Sequence, residues 1–167
     1  MTMLYTEIDS PLGTLLLTGR PSATAPGGTA LSSLSVPGQK NAATIGADWR
    51  REPAAFTEAA RQLDAYFAGD AKDFTLEFAV QGTEFRQKVW DALDSVPYGA
   101  TTTYGEIAAR IGASRIAVRA VGGAIGANPL LVLRPCHRVI GANGSLTGYA
   151  GGLERKQLLL GLEGYRG

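Results

Sequence analysis

The sequence predicts an α/β protein with a small α/β layer at its N-terminal end and a mainly helical C-terminal half. Short β-type runs separated by turns surround one helical pattern in the first part of the chain. After residue 83, apolar residues recur at helical spacing instead. The sequence Gln81-Gly82-Thr83 separates the two patterns. We therefore predict an N-terminal scaffold domain over residues 1–80 and a C-terminal domain over residues 81–167.

The N-terminal domain begins with a predicted β-hairpin. Residues 4–9 and 14–18 are β-type runs, and the Ser-Pro-Leu-Gly sequence between them is typical of a turn. Residues 30–36 indicate a third strand, although their alternation is only partial. Residues 20–28 and 37–47 are rich in small residues and predict loops.

One helix and one further strand complete this domain. Residues 53–67 carry apolar side chains at helical spacing, with Pro53 suited to the first turn and Gly69 to the stop. Residues 74–80 alternate between apolar and other side chains, which predicts a half-buried strand. Nothing in residues 1–80 suggests chemistry, so we interpret this domain as a scaffold.

The C-terminal half begins with three predicted helices. Residues 83–93 repeat apolar side chains four positions apart. Thr103 and Glu106 fit a capping box, which would begin a second helix that ends at Gly112. Residues 115–126 predict the third. Two short helices joined by Gly-Ala-Ser have the spacing of a helix-turn-helix.

The third helix has an unusual surface. Two arginines lie one turn apart, and two glycines follow in the same sector: Arg115, Arg119, Gly123 and Gly126. A glycine inside a helix costs about 1 kcal/mol relative to alanine. Either another helix packs tightly against these glycines, or the narrow face enters a DNA groove with arginine beside it. Small side chains suit the narrow minor groove.

Composition and charge limit the classes of protein. A hydrophobic content of 45% and a charged content of 19% are typical of a soluble globular protein. No apolar run approaches the roughly 20 residues of a membrane span, and the first residues lack the pattern of a secretory signal. The net charge is +1, but residues 82–167 carry ten basic and six acidic side chains. A basic second half suits a polyanion.

The single cysteine and single histidine of the chain are adjacent, as Cys136 and His137, between Arg134 and Arg138. One cysteine excludes an internal disulfide and fits a reducing compartment, so we expect a cytoplasmic protein. One Cys and one His make no four-ligand zinc site without carboxylates, so no metal is expected. Positive charge stabilises a thiolate, so this setting predicts a lowered thiol pKa and a nucleophilic cysteine. A lone cysteine is, however, more often a small buried hydrophobic residue.

The neighbouring sequence favours the functional interpretation. Pro-Cys-His-Arg-Val-Ile-Gly at residues 135–141 follows Asn128-Pro129 and precedes Gly-Tyr-Ala-Gly-Gly-Leu at residues 148–153. This run, which extends to Glu163-Gly164, resembles the active-site signature of the O6-alkylguanine-DNA alkyltransferases. Weaker resemblance covers nearly the whole chain. It implies a ribonuclease H-like N-terminal domain and a winged helix-turn-helix in the C-terminal domain.

The resemblance also implies a direct-reversal DNA repair reaction. The alkyl group of O6-alkylguanine, and less efficiently that of O4-alkylthymine, would move to the protein's own Cys136 in one irreversible, stoichiometric turnover without a cofactor. A thioether is a very poor leaving group, and the chain offers no second thiol to remove the alkyl group. The implied partner is double-stranded DNA, bound through its minor groove with the alkylguanine flipped out. No obligate protein partner is implied, and we expect a monomer off DNA.

The family's catalytic roles fall on four residues. Cys136 matches the nucleophile and His137 its base, with a bridging water because adjacent residues on a helical turn point apart. Glu163 matches the glutamate that orients the histidine. Asn128 matches the hinge asparagine that would join the DNA-binding helix to the active-site segment.

Further residues match the family's substrate contacts. The resemblance implies that Tyr104 helps to rotate the nucleotide and that Arg119 fills the gap left in the base stack, with Gly123 on the DNA-facing helix. Tyr149 would lie against the base. The remaining contacts are from main chain: the Ala150 amide toward the guanine oxygen, and the carbonyls of Cys136 and Val139 toward the guanine amine. Some relatives carry Ser where Ala150 stands.

Two other functions remain open. A binding module could recognise alkylated guanine without accepting the group, but relatives of that kind lack the cysteine. A thiol hydrolase could use Cys136, His137 and Glu163. It would need an oxyanion hole and a peptide cleft, and it would have no use for a helix rich in glycine and arginine.

Overall fold

The computed structural model describes residues 2–165 of the chain, apart from the side chain of Arg115, so the predicted position of that side chain lies outside the described residues. The chain divides into two compact units, Met1–Val80 and Gln81–Gly167. None of the helices in the described part of the chain is both long and apolar enough to cross a membrane.

The first unit contains a mixed four-stranded sheet, and its predicted hairpin and third strand are confirmed. The strands, in chain order, are β1 (Leu4–Ile8), β2 (Leu15–Pro21), β3 (Thr29–Ser35) and β4 (Arg50–Arg51). Their order in the sheet is β3-β2-β1-β4, with β4 parallel to β1 and the other pairs antiparallel. Gly19 faces β3 so closely that a Cβ there would lie 2.6 Å from the carbonyl oxygen of Ala30, which explains a glycine within a strand.

One helix, α1 (Thr57–Phe67), packs in the same unit. A 3₁₀ turn, Pro53–Phe56, precedes it, so the helix predicted from residue 53 begins with a tighter turn. Phe56, Ala59 and Leu63 are buried, as their helical spacing predicted. The predicted stripe ended at Phe67, but Tyr66 is the buried aromatic residue and Phe67 is half-buried.

The strand predicted over residues 74–80 is wrong in extent. Only an isolated parallel bridge joins Phe78 to Leu31 of β3, with hydrogen bonds of 2.8 Å from Leu31 N to Glu77 O and from Ala79 N to Leu31 O. The apolar residues of this segment are half-buried, while Thr75 and Ala79 are exposed. The alternation of side chains therefore indicated an extended, half-buried segment. Such a pattern does not depend on hydrogen bonds to a neighbouring strand along the whole segment.

The second unit is mainly helical. Its elements, in chain order, are α2 (Glu84–Asp94), β5 (Thr102–Thr103), α3 (Tyr104–Arg110), α4 (Val118–Gly126), β6 (Val139–Ile140) and α5 (Leu153–Leu162). Strands β5 and β6 pair in parallel. Trp90 of α2 is buried and donates from Nε1 to the carbonyl of Ala124 in α4 at 2.9 Å, which ties these two helices together.

The helix-turn-helix predicted from spacing corresponds to α3 and α4. Thr103 caps α3 by accepting from the Glu106 amide at 3.1 Å, and the Glu106 carboxylate accepts from the same hydroxyl at 3.3 Å. Gly112 follows α3 with a φ of 74°, a conformation that favours glycine. The third predicted helix begins three residues late, because a 3₁₀ turn, Arg115–Ala117, precedes α4.

The cap of α2 provides a test of this fold. Thr83 accepts from the Arg86 amide at 3.1 Å, so we expect Thr83→Ala to lower the free energy of unfolding by about 1 kcal/mol. Thr83→Ser keeps the hydroxyl and should retain most of that stability. Urea unfolding monitored by circular dichroism measures both. Equal midpoints for the Ala variant and the parent would contradict a structural cap.

Candidate active site

Two tight turns bring Cys136 to its position. The apolar segment 130–133 is buried, and within it Val132 adopts a φ of 69°, which β-branched residues rarely do. Leu133 N donates to Leu131 O at 2.7 Å across Val132, which closes a γ-turn. Cys136 then begins a 3₁₀ turn that ends at Arg138 and leads into β6. Strained backbone of this kind often accompanies a functional site.

Asn128 connects this segment to the end of α4. Its side chain is fully buried, and its Nδ2 donates to the sulfur of Cys136 at 3.3 Å and to Leu130 O at 3.2 Å. Its Oδ1 accepts from the Leu130 amide at 3.0 Å. The amide therefore bonds to Leu130 and to Cys136 within the segment that carries the cysteine. The role of Asn128 as a hinge to the DNA-binding helix stays a prediction.

His137 and Glu163 form a buried pair. Nε2 of His137 lies 2.8 Å from Oε2 of Glu163, and the side chains are 0% and 1% exposed. A carboxylate accepts, so Nε2 carries the proton and Nδ1 is left as the acceptor of the ring. Nδ1 is buried and makes no hydrogen bond to the described residues. The imidazole is thus held in the tautomer that a general base needs.

Arg138 holds the carboxylate of this pair. Its Nε donates to Oε1 of Glu163 at 2.7 Å and its Nη2 to Oε2 at 3.0 Å, while Nη1 donates to the carbonyl of Val96 at 2.6 Å. A bidentate guanidinium of this kind keeps a buried carboxylate ionised. Glu163, immediately after α5, is therefore a fixed negative charge behind the histidine.

The predicted lowering of the thiol pKa is wrong for the free protein. Burial raises the pKa of Cys136 to about 11, although the Asn128 hydrogen bond and the charges of Lys156 and Arg134 oppose it. Burial also lowers the pKa of His137, against the opposing effect of Glu163. The sequence suggested that Arg134 and Arg138 lie beside the thiol, but Arg138 is bonded to Glu163, and the charge of Arg134 only partly offsets the effect of burial. Burial and the unprotonated Nδ1 leave the imidazole neutral. The resting site therefore holds a neutral thiol beside a neutral imidazole.

Lys156 is a site residue that the sequence interpretation missed. Its side chain is fully buried, and Nζ donates to the carbonyls of Val139 at 2.5 Å, Thr147 at 3.1 Å and Gly148 at 3.5 Å. Burial lowers the pKa of Lys156. The cation ties α5 to β6 and to the loop that carries Tyr149. Helical spacing offered a signal, because Lys156, Leu159, Leu160 and Glu163 share one face.

The matched substrate residues lie at several places in the second unit. Tyr104 begins α3, and its hydroxyl is 2.9 Å from that of Thr147. Tyr149 and Ala150 are half-buried in the loop before α5. A Cβ at Gly151 would lie 2.8 Å from the Tyr149 ring and 3.3 Å from Leu131, so that glycine permits the close approach. The carbonyl of Val139 accepts from Lys156, and that of Cys136 accepts from the Val139 amide.

The surface of α4 decides between the two explanations of its glycines. Arg119, Gly123 and Gly126 are exposed, and a Cβ at either glycine would meet no described atom within 4 Å apart from the adjacent backbone of α4 itself. Tight helix packing is therefore wrong for these two positions. Only Gly122 faces a side chain, the Tyr104 ring, at 3.7 Å from a built Cβ. The exposed face remains open to a partner from outside the chain.

No group of three or more His, Cys, Asp and Glu side chains within residues 2–165 could hold a metal ion. The chemical groups of the site are instead a thiol, an imidazole–carboxylate pair and a buried ammonium. Together with a helix-turn-helix whose second helix exposes glycine and arginine, they define a nucleic-acid-binding protein with a cysteine nucleophile.

Comparisons with known proteins identify the family. The chain matches the model of the 6-O-methylguanine DNA methyltransferase ribonuclease-like domain over residues 28–80 and that of the DNA binding domain over residues 84–165. The chain therefore belongs to the 6-O-methylguanine DNA methyltransferase family. This confirms the predicted fold class, a ribonuclease-like N-terminal domain followed by a DNA-binding C-terminal domain.

Individual relatives support the same assignment. The chain is 48% identical over 159 residues to the methylated-DNA–protein-cysteine methyltransferase of Mycolicibacterium paratuberculosis, covering 95% of this chain and 91% of the relative. It is 47% identical over 162 residues to that of Methanosarcina acetivorans, covering 97% and 99%. The crystal structure of Mycobacterium tuberculosis OGT in complex with DNA superposes with a TM-score of 0.85 at 49% identity, covering 96% and 92%.

The protonation state of the free site is testable, because the chain contains one cysteine. We expect the rate of Cys136 alkylation by iodoacetamide to keep rising with pH toward about 11, since burial disfavours the thiolate. Mass spectrometry of the Cys136 peptide across the pH range measures it. The urea-unfolded chain is the control and should level off near the ordinary thiol pKa. A plateau beginning near neutral pH in the folded protein would contradict a neutral resting thiol.

Proposed function

We propose that this protein repairs alkylated DNA by transferring the alkyl group of O6-alkylguanine to Cys136. O4-alkylthymine is a less efficient substrate. Each molecule acts once, because no group in the site can displace the alkyl from the thioether that forms. The observation that carries this proposal is the buried Cys136 thiol, bonded to Asn128 and adjacent to the His137–Glu163 pair.

The reaction is an in-line displacement at the alkyl carbon. Nδ1 of His137 takes the thiol proton through a bridging water, and the sulfur attacks the carbon while the carbon–O6 bond breaks. The electron pair of that bond stays on the guanine. The proton that His137 took from the thiol is passed on to the base, which becomes unmodified guanine. Net, a thiol and an alkylated base become a thioether and a base, so the balance needs no cofactor.

Polar and charged groups around His137 and Cys136 stabilise the ion pair that proton transfer creates. Proton transfer creates an imidazolium and a thiolate from two neutral groups. The fixed Glu163 carboxylate stabilises the imidazolium, while the Asn128 amide and the ammonium of Lys156 stabilise the thiolate. Burial raises the cost of each charge separately, so the pair forms together.

DNA meets the protein through α4. Its exposed glycines let the helix backbone approach the minor groove of double-stranded DNA, and Arg119 fills the space of the nucleotide that flips out. Tyr104 helps that rotation from the start of α3. Residues 81–167 thus form the DNA-binding and transfer domain and residues 1–80 the scaffold. We infer a monomer off DNA, in a reducing compartment such as the cytoplasm that keeps the thiol free.

The flipped base is recognised largely by main chain. The carbonyls of Cys136 and Val139 accept from the guanine amine, which adenine lacks at this position. Lys156 holds the Val139 carbonyl in place. The Ala150 amide donates to the guanine oxygen, and the Tyr149 ring lies against the base. Because the contact at position 150 is from the backbone, alanine can serve there.

Mass spectrometry after mixing with a duplex that carries O6-methylguanine tests the transfer. We expect the Cys136 peptide to gain one methyl group per protein molecule, and Cys136→Ser to gain none and leave the duplex methylated. Tight binding by the parent without any gain would favour a binding module. Turnover of an acyl ester by the parent, with no methyl gain, would favour a thiol hydrolase.

Substitution of an exposed glycine on α4 should affect stability and DNA binding in opposite directions. Gly123→Ala places a methyl in open space within a helix, so we expect the free energy of unfolding to rise by up to about 1 kcal/mol while affinity for duplex DNA falls severalfold. Gly161→Ala in α5 is the matched control, since a Cβ there also meets no described atom within 4 Å. It should raise stability without changing affinity. Unchanged DNA affinity in Gly123→Ala, measured by fluorescence anisotropy, would remove α4 from the interface.

A further inference from the structure

Arg134 is a buried cation that the proposed reaction does not use. It is 5% exposed and precedes the turn that carries Cys136. Its Nε donates to Oδ1 of Asp94 at 3.2 Å, its Cζ lies 5.1 Å from the centre of the Trp90 ring, and its Nη1 donates to Oδ1 of Asn128 at 3.3 Å. One guanidinium therefore contacts α2 on one side and the asparagine bonded to the nucleophile on the other.

We propose that Arg134 is a positioning residue, which holds the Asn128 amide with its nitrogen toward the Cys136 sulfur from an anchor on α2. The inference rests on the proposed transfer to Cys136 and adds a residue to it. A continuous series of hydrogen bonds runs from Asp94 through Arg134 and Asn128 to the sulfur of Cys136.

The direction of the amide follows from donor and acceptor rules. A guanidinium only donates, so it must meet the oxygen of the amide. The Leu130 amide donates to the same oxygen at 3.0 Å. A flipped Asn128 would set its NH₂ group against two donors and its oxygen against a sulfur that becomes negative. Arg134 therefore raises the cost of the orientation that could not stabilise a thiolate.

The anchor on α2 restricts the guanidinium itself. Asp94 and Trp90 lie one helical turn apart, so the carboxylate accepts from Nε of the guanidinium while its Cζ lies over the indole ring. Trp90 is in turn bonded to α4 through the carbonyl of Ala124. The positive charge also opposes the rise in the pKa of Cys136 that burial causes. A buried charge costs desolvation that an apolar side chain would avoid, which favours a functional reason for arginine here.

A double-mutant cycle tests whether Arg134 acts through Asn128. The single-turnover rate of methyl transfer and the rate of iodoacetamide alkylation of Cys136 are measured against pH in the parent, Arg134→Met, Asn128→Ala and the double variant. We expect Arg134→Met to slow both reactions at neutral pH by roughly three- to tenfold and to move the rise of alkylation about half a unit to one unit higher in pH. In the Asn128→Ala background, the same substitution should change the rates less than twofold.

Matched variants separate positioning from general damage. Arg61→Met removes an exposed arginine paired with Glu58 in the first unit and should leave both profiles unchanged. Arg134→Lys keeps the positive charge but lacks the planar guanidinium, so it should also slow methyl transfer. If circular dichroism shows that Arg134→Met is not folded, Arg134→Lys replaces it in the comparison. Asp94→Asn keeps Arg134 but weakens its anchor, and it should give an intermediate rate.

Two results would overturn the inference. One is an Arg134→Met profile that coincides with the parent in both reactions. The other is an equal slowing in the presence and absence of the Asn128 side chain. Failure of the proposed function looks different: the parent would not transfer methyl groups at all, while alkylation by iodoacetamide would still report whether Arg134 controls the thiol.

Discussion

The buried carboxylate of Glu163 is the charge on which the site depends. It accepts from the histidine and from two nitrogens of Arg138, all from positions that are nearly closed to solvent. Removing Arg138 would leave an uncompensated charge in the interior, which costs several kcal/mol. The carboxylate therefore sets the tautomer of His137, and the tautomer decides which nitrogen can take a proton. The turn of Cys136–Arg138 and the end of α5 must meet for this contact to exist.

Helix α5 contributes two ionisable groups to the interior from one face. Lys156 and Glu163 lie two turns apart, with Leu159 and Leu160 between them. The ammonium holds the carbonyls of Val139, Thr147 and Gly148, and the carboxylate holds the imidazole. An amphipathic helix normally turns such residues to solvent. Here their partners are backbone carbonyls and a guanidinium, which compensate the cost of burying them.

Much of this organisation could be predicted from the sequence. The helices had clear periodicity, Thr83 and Thr103 marked two starts, and the run from Asn128 to Glu163 carried enough family resemblance to select the residues that the fold then brought together. What failed depended on tertiary packing. The alternation of residues 74–80 did not show how few backbone pairs it would form, and neighbouring arginines did not reveal which of them would be bonded to Glu163. Burial, which raises the pKa of Cys136, has no local signature.

Lys156 and Arg134 are site residues that local sequence patterns did not reveal. Both are ordinary basic residues in the sequence, and both are buried among contacts from distant segments. A helical wheel could have placed Lys156 inward, but no spacing rule connects Arg134 to α2. Lys156 and Arg134 differ from the exposed Arg119 in the hydrogen bonds that they donate to distant segments of the folded chain.

The neutral resting thiol has a consequence for how the molecule is used up. Under the proposed transfer each molecule reacts only once, so it is lost whenever its thiolate reacts with a stray oxidant or electrophile instead. A shift from the ordinary value to about 11 leaves very little thiolate at neutral pH. A molecule that is free of DNA should therefore lose its thiol to such reagents only slowly.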